Sequence, residues 1–233
     1  MNKQLIGDKW FEVLKEEFEL QYFIDLKEKL KEEYSKYKIY PAPGNIFRAF
    51  LLTPPDKVRV VWCGQDCYPN GDHADGLAFS SQQEETPFSL QRILRECDRD
   101  VIKTTNYKEF KEAFPSNDLT SWAKKGVLLL NSALTVRAGE VGSHQHLGWD
   151  KFILATLKYI NNKEDCIQFI AFGKEAANLI EQLEVKEQHR YIYTGHPATG
   201  AHGKDLFSGC NIFSKINYHF WKKGLQEIDW KLN

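Results

Sequence analysis

Along residues 8–37 apolar side chains recur in a heavily charged background: Trp10, Phe11, Leu14, Phe18 and Leu20, then Tyr22, Phe23, Leu26 and Leu30. Their near-helical spacing predicts two amphipathic helices, each turning one face to a core. The run YPAPG at 40–44 breaks the period, and a short helix is expected over 46–51. The pattern then changes. Four short, nearly continuous apolar runs follow: 58–63 (VRVVWC), 127–130 (VLLL), 167–172 (IQFIAF) and 191–194 (YIYT). They are rich in β-branched and aromatic residues and end at Gly, Asn or a turn, as strands covered on both faces do. Helical patterns over 89–101, 150–160 and 174–183 separate them. Strands alternating with helices predict a parallel sheet. The expected fold is a three-layer α/β/α sandwich with a central four-stranded parallel sheet. No repeat, low-complexity tract or linker interrupts residues 1–233, so one domain is expected.

The strand ends hold the candidate chemistry. Gly64-Gln65-Asp66 follows the first run, Asn131 the second, Gly173 the third and Gly195-His196-Pro197 the fourth. Open parallel sheets bind ligands beyond the carboxyl ends of their strands. Asp66, Asn131 and His196 should therefore converge on one edge, and an acid, an amide and an imidazole in one cleft suffice for hydrolytic chemistry.

Composition narrows the partners. Thirty-one Lys and Arg face 32 Asp and Glu, a net charge of −1. That excludes a uniformly basic nucleic-acid coat and a polyanionic disordered chain, and leaves room for a local basic face. Aromatic residues make up 13%, with six Trp, which favours a packed core with amphipathic pockets. The five cysteines are odd in number and form no CxxC pair, so neither a disulfide framework nor a zinc ribbon is indicated, and a reducing compartment fits best. The N-terminus lacks an apolar signal region, and no apolar run approaches the ~20 residues of a membrane span. A cytoplasmic monomer is expected. His144 and His146 have a spacing that raises a metal pair, but two loop histidines without a Cys partner are weak ligands; no metal or other cofactor is expected.

Residues 64–80 read GQDCYPNGDHADGLAFS, and residues 128–152 read LLLNSALTVRAGEVGSHQHLGWDKF. His196-Pro197 is followed by FSGC at 207–210 and IDW at 228–230, and YPAPGNIFRAF occupies 40–50. In this order the segments resemble those of family 1 uracil-DNA glycosylases, over about residues 8–231. The resemblance implies hydrolysis of the bond joining uracil to deoxyribose, the first step of base-excision repair, without a metal. It implies that residues 64–80 are the water-activating loop and the strand after it. Asp66 would stabilise the sugar cation and orient the attacking water, and His196 would hydrogen-bond uracil O2 as a neutral imidazole. Asn131 would read N3–H and O4 through its donor and acceptor, Phe79 would stack on the ring, and Tyr68 would crowd C5 and so reject thymine. Gln65 would add pocket contacts. A base in a duplex must flip out to enter such a pocket. Ser89, in TPFS at 86–89, and Thr199 would contact DNA, with Lys174 where the family has a neutral phosphate contact. DNA-mimic protein inhibitors are possible partners.

Departures from the family pattern matter as much. Cys67 stands where the family has Pro. Pro69 stands where it has a water-positioning His; Pro69 has no side-chain donor and no N–H. His73 is the nearest candidate to substitute. No Leu occupies the duplex-wedging position after His196-Pro197; Ala201 or His202 is nearest, and Leu206 lies too far along. Lys204 is a further candidate, beside Ser89, Lys174 and backbone amides, for the local face that holds DNA. Weaker duplex engagement and a preference for single-stranded uracil DNA are expected. The alternative readings are a catalytically weakened DNA-binding or protein-interaction homologue, and a glycosylase of shifted pyrimidine specificity. A generic nucleotide-binding fold is disfavoured, because no GxGxxG or GxxxxGK[ST] loop occurs.

Overall fold

The computed structural model describes residues 3–70, 72–199 and 205–232. Its strands are β1 (Ile39–Tyr40), β2 (Val60–Gly64), β3 (Val127–Asn131), β4 (Val136–Arg137), β5 (Gln168–Phe172) and β6 (Arg190–Thr194). β2, β3, β5 and β6 form one parallel sheet in the order β3-β2-β5-β6, as the four apolar runs predict. Every residue of β2, β3 and β5 is buried. β6 departs from that pattern: most of it is only half-buried, and Tyr193 is 48% exposed. β1 and β4 pair antiparallel as a separate two-residue ribbon, too short to leave a periodic trace in the sequence.

Helices cover the sheet. The N-terminal stretch is broken into Lys3–Ile6, Asp8–Leu14 and Gln21–Lys36, with a 3₁₀ turn at Glu17–Glu19. Ile6, Trp10, Leu14, Phe23 and Leu26 are its buried positions, while Leu20, expected on the apolar face, is exposed at the helix start. Arg48–Leu52, Phe88–Cys97, Trp149–Asn161 and Lys174–Ile180 match the expected helices to within a few residues, the second continuing into a π turn at Asp98–Ile102. Tyr107–Ala113, Thr120–Lys124 and Ile212–Lys222 are further helices. The C-terminal segment closes the core beneath β2: Trp230 stacks on Trp62 at 6.0 Å, and its carbonyl accepts from Trp122 Nε1 at 2.8 Å. Among the described residues, no helix is long and apolar enough to cross a membrane.

Register positions the site. Gly64 pairs with Asn131 across β2 and β3, and Phe172 pairs with Thr194 across β5 and β6. The four carboxyl ends therefore finish level, and the residues leaving them share one edge.

Candidate active site

Gln65, Asp66, Cys67, Tyr68, Phe79, Ser89, Asn131 and His196 line one cavity of about 300 Å³, with Pro69, Val141 and Ala198 at its walls. It is not the roomiest depression on the molecule, but it is the one into which the strand ends deliver their polar side chains. Its volume is at the small end of the roughly 300–1,000 Å³ of small-molecule sites.

Asp66 leaves β2 and turns toward residues 138–148, where Oδ2 accepts the Gly142 N–H at 2.5 Å. Its Oδ1 is buried and has no partner among the described residues. Burial raises its pKa above the usual carboxylate value, and Glu175 raises it further. The Gly142 N–H and the Gln145 side chain oppose that rise by favouring the charged form.

Asn131 is the last residue of β3 and 5% exposed. Its Nδ2 lies 3.7 Å from Cys67 Sγ, and Oδ1 is buried with no partner among the described residues. Cys67 thus touches the amide as well as filling space. Burial pushes its thiol up to about 12, which keeps it a neutral, unreactive group. Gly64 makes room for this arrangement, since a Cβ there would lie 2.5 Å from Asn131 Oδ1.

The expected strand after the loop is not formed. Residues 77–79 turn, and Phe79 takes a left-handed φ of 65°. Asp75 explains the turn: Oδ1 accepts the Leu77 N–H at 3.0 Å, and Oδ2 accepts from Ser80 Oγ at 2.7 Å and Arg48 Nη1 at 2.6 Å. Tyr68 holds it from the other side by donating its hydroxyl to the Phe79 carbonyl at 2.9 Å. The Phe79 ring is presented to the cavity against Phe172, 5.1 Å away, and His196, 5.8 Å away.

His196 follows β6. Its Nδ1 accepts the Ala198 N–H at 3.1 Å, so in the neutral ring the proton resides on Nε2. Burial lowers its pKa, which keeps the ring neutral near pH 7. A neutral donor is therefore available, as the sequence argument requires.

The peripheral candidates separate. Ser89 is buried at the start of the helix Phe88–Cys97 and lines the cavity. Lys174 is exposed at the start of Lys174–Ile180, beside Gly173, where a Cβ would meet His196 Cβ at 3.0 Å. Thr199 turns its hydroxyl inward, donating to the His196 carbonyl at 2.7 Å; it braces the His196 turn. Ala201, His202 and Lys204 lie outside the described residues. His73 does not reach the cavity: its Nδ1 sits 3.0 Å from Ser81 Oγ, on the far side of Tyr68. His144 and His146 part company. His144 is fully buried, with Nδ1 2.7 Å from Thr135 Oγ1 and Nε2 3.3 Å from Glu33, whereas His146 is exposed.

The long-range positioning contacts escape sequence reasoning. Gly142 reaches Asp66 across 76 residues. Arg92 donates to the Pro197 carbonyl at 2.7 Å and pairs with Asp205 and Ser208, tying down chain that follows His196. The glycines at 139 and 142 were the only local hint of a tight turn there.

Residues 50–221 match the family model described as the uracil DNA glycosylase superfamily. A Fusobacterium nucleatum protein named uracil-DNA glycosylase is 40% identical over 230 residues, covering 97% of this chain and 96% of that protein. A Campylobacter fetus protein of the same name is 41% identical over 236 residues, covering 99% and 95%. The crystal structure of mimivirus uracil-DNA glycosylase superposes with a TM-score of 0.86 at 26% identity, covering all of this chain and 90% of that one. A variant of the same viral protein, with a TM-score of 0.86, was solved in complex with UGI.

Proposed function

This chain belongs to the uracil-DNA glycosylase superfamily, and from that premise we propose that it hydrolyses the N-glycosidic bond of uracil in DNA, releasing uracil and leaving an abasic site. The observation that carries the reading is the polar arrangement around one cavity. A buried carboxylate, a neutral imidazole donor and a carboxamide with a free acceptor converge beside an aromatic face.

The flipped nucleotide would stack its base on Phe79 and give its N3–H to Asn131 Oδ1, with Nδ2 donating to O4. Cytosine offers an acceptor at N3 and a donor at C4, the opposite pattern, and is rejected. Tyr68, fixed by its bond to the Phe79 carbonyl, would stand against C5 and exclude the thymine methyl. As the C1′–N1 bond breaks, its electron pair passes to the uracil ring and charge grows on O2, where His196 Nε2–H would donate. The water oxygen bonds to C1′, and the proton it loses passes to Asp66. Asp66, ionised beforehand, also stabilises the cationic sugar.

Ser89 and Lys174 would take phosphate contacts on this face, with backbone amides beside them. Near-neutral net charge then predicts few such contacts and a modest salt slope. The absence of Leu at the wedge position supports a preference for single-stranded uracil DNA. We further propose a monomeric single domain, open to DNA-mimic inhibitors at this face. Its five cysteines are free, as a reducing cytoplasm would leave them.

The test is uracil release from matched single- and double-stranded oligonucleotides, with Asp66→Asn as control. Release by the unmodified protein, abolished in the control and faster from the single strand, is expected. No release from either form would refute the activity; equal rates would refute the strand preference alone.

A further inference from the structure

Arg92 lies on the helix Phe88–Cys97, one turn after Ser89, which lines the cavity. Its side chain is only 12% exposed. Its hydrogen bonds all go to the chain that follows His196. Nη1 donates to the Pro197 carbonyl at 2.7 Å, and Nη2 donates to Ser208 Oγ at 2.7 Å and to the Asp205 carboxylate. Asp205 is itself fixed, because its Oδ1 accepts the Phe207 and Ser208 N–H groups at 3.0 Å each. The Ser208 N–H and hydroxyl, then the Phe207 N–H and Arg92, hold the Asp205 pKa down to about 2. Phe207 is buried, and its ring lies 5.8 Å from the guanidinium and 6.2 Å from Phe172. The guanidinium is thus anchored on the Asp205 side, with Nη1 aimed at Pro197.

The Pro197 carbonyl and the Ala198 N–H belong to one trans peptide unit, lie in one plane and point in opposite directions. Arg92 holds the carbonyl. The N–H donates to His196 Nδ1 at 3.1 Å. One rigid plane therefore links a largely buried cation to the imidazole ring. The other bonds of the turn do not reach the ring. Thr199 donates its N–H and its hydroxyl to the His196 carbonyl, at 3.1 and 2.7 Å, and so fixes backbone alone.

We infer that Arg92 is a positioning residue for His196: it orients and polarises the Pro197–Ala198 peptide, which holds Nδ1 as an acceptor and aims Nε2–H into the cavity. A charged donor on the carbonyl draws electron density from the amide and strengthens its N–H as a donor. A stronger bond at Nδ1 leaves that nitrogen less open to a proton, so the ring stays the neutral Nε2–H tautomer. Arg92 touches neither the base nor the sugar in this scheme. The inference rests on the proposed uracil-excising function and assigns a supporting residue within it.

The titratable and charged groups facing His196 are Asp66, Cys67 and Tyr68 across the cavity, Lys174 and Glu175 behind Gly173, and Asp205 beside Arg92. Substitution at Arg92 leaves all of them in place. The experiment pairs single-turnover excision with an NMR titration of the unliganded protein labelled with ¹⁵N in its imidazoles. Arg92→Met keeps the apolar stem and removes every donor. Its maximal rate should fall about 10-fold, less than the roughly 10²–10³ that loss of a direct donor costs. The DNA concentration giving half that rate should stay as in the unmodified protein. The His196 pKa should rise, and the Nδ1–H tautomer should gain population. Arg92→Lys keeps one cationic donor and should lie between the two proteins in both readouts. An unmodified maximal rate in Arg92→Met would overturn the inference. So would a slower rate in either variant with the His196 pKa and tautomer unmoved, the mark of a merely structural residue. Inactivity of the unmodified protein would refute the function instead, and the titration would still read the link from Arg92 to His196.

Discussion

Gly64→Ala tests how tightly the pocket is built. Gly64 ends β2 directly beside Asn131, with which it is in register. Its backbone is not left-handed, so alanine carries no conformational penalty and the effect is one of space. The added Cβ would lie 2.5 Å from Asn131 Oδ1 and 3.1 and 3.2 Å from two atoms of the Phe79 ring. An ordinary contact is about 3.5 Å, so the carboxamide must withdraw by about 1 Å. Asn131 cannot retreat as a whole, since its backbone belongs to β3 and Cys67 Sγ lies 3.7 Å from Nδ2. The amide must rotate, and the acceptor proposed for uracil N3–H turns with it. Overpacking of this kind costs about 1–3 kcal/mol of stability, and a misplacement of about 1 Å can cost ~10²-fold in rate. Single-turnover excision with uracil DNA, beside a thermal melt, separates the two effects. The expected result is a modest loss of Tm and a far larger loss of excision. An unmodified rate and KM would refute the argument, because the amide would then have moved without consequence.

Two further predictions concern charge. Asp66 has a raised pKa in the folded protein because burial penalises its carboxylate. A group of this kind destabilises the fold once pH exceeds its folded pKa and has no effect below its unfolded value. Asp66→Asn should therefore melt above the unmodified protein at pH 7 while losing excision, with the difference in Tm vanishing in acid. An equal Tm at pH 7 would mean that Gly142 and Gln145 fully offset the burial. Arg48→Met removes the cation that bonds Asp75 at 2.6 Å, Thr120 at 2.6 Å and Asp118 at 3.3 Å. Breaking a buried pair by removing one partner costs about 3–5 kcal/mol. Urea unfolding should show a loss of that order. Excision should also fall, since Asp75 shapes the turn that presents Phe79.

The parts of this molecule legible in its sequence are those with local causes. Three of the four core strands announce themselves because they are buried on both faces and nearly all their residues are apolar, and the fourth, β6, by its aromatic and β-branched residues. The polar residues at their ends follow from sheet direction alone. The helix Ile212–Lys222 carries a readable signal in Ile212, Phe213, Ile216 and Phe220, all buried on one face. Phe79 misleads because apolar residues after a glycine resemble a strand. What bends them is Asp75, whose carboxylate satisfies the Leu77 N–H locally and is itself held by Arg48 from 27 residues away. The contacts that tune Asp66 are the least legible. They come from a turn about 76 residues downstream, through a backbone N–H that every non-proline residue possesses.

Burial acts on the two reactive groups in opposite senses, and together these shifts favour the transition state. Asp66 is pushed toward its protonated form and His196 toward its neutral form, because the cavity penalises either isolated charge. Among the described residues, the Gly142 N–H and the Gln145 side chain oppose the penalty that burial puts on the Asp66 charge. In the proposed mechanism, a sugar cation forms beside that carboxylate as the glycosidic bond breaks, and the uracil anion forms within reach of the imidazole N–H. The charges that the site disfavours singly are then paired. A group that is poorly satisfied in the ground state and well satisfied only as the bond breaks lowers the barrier by the difference. Full satisfaction of Asp66 beforehand, by a lysine or arginine for instance, would give a more stable protein and a slower one. The partly satisfied carboxylate, held by one backbone N–H and favoured by the Gln145 side chain, is the arrangement that leaves the difference available.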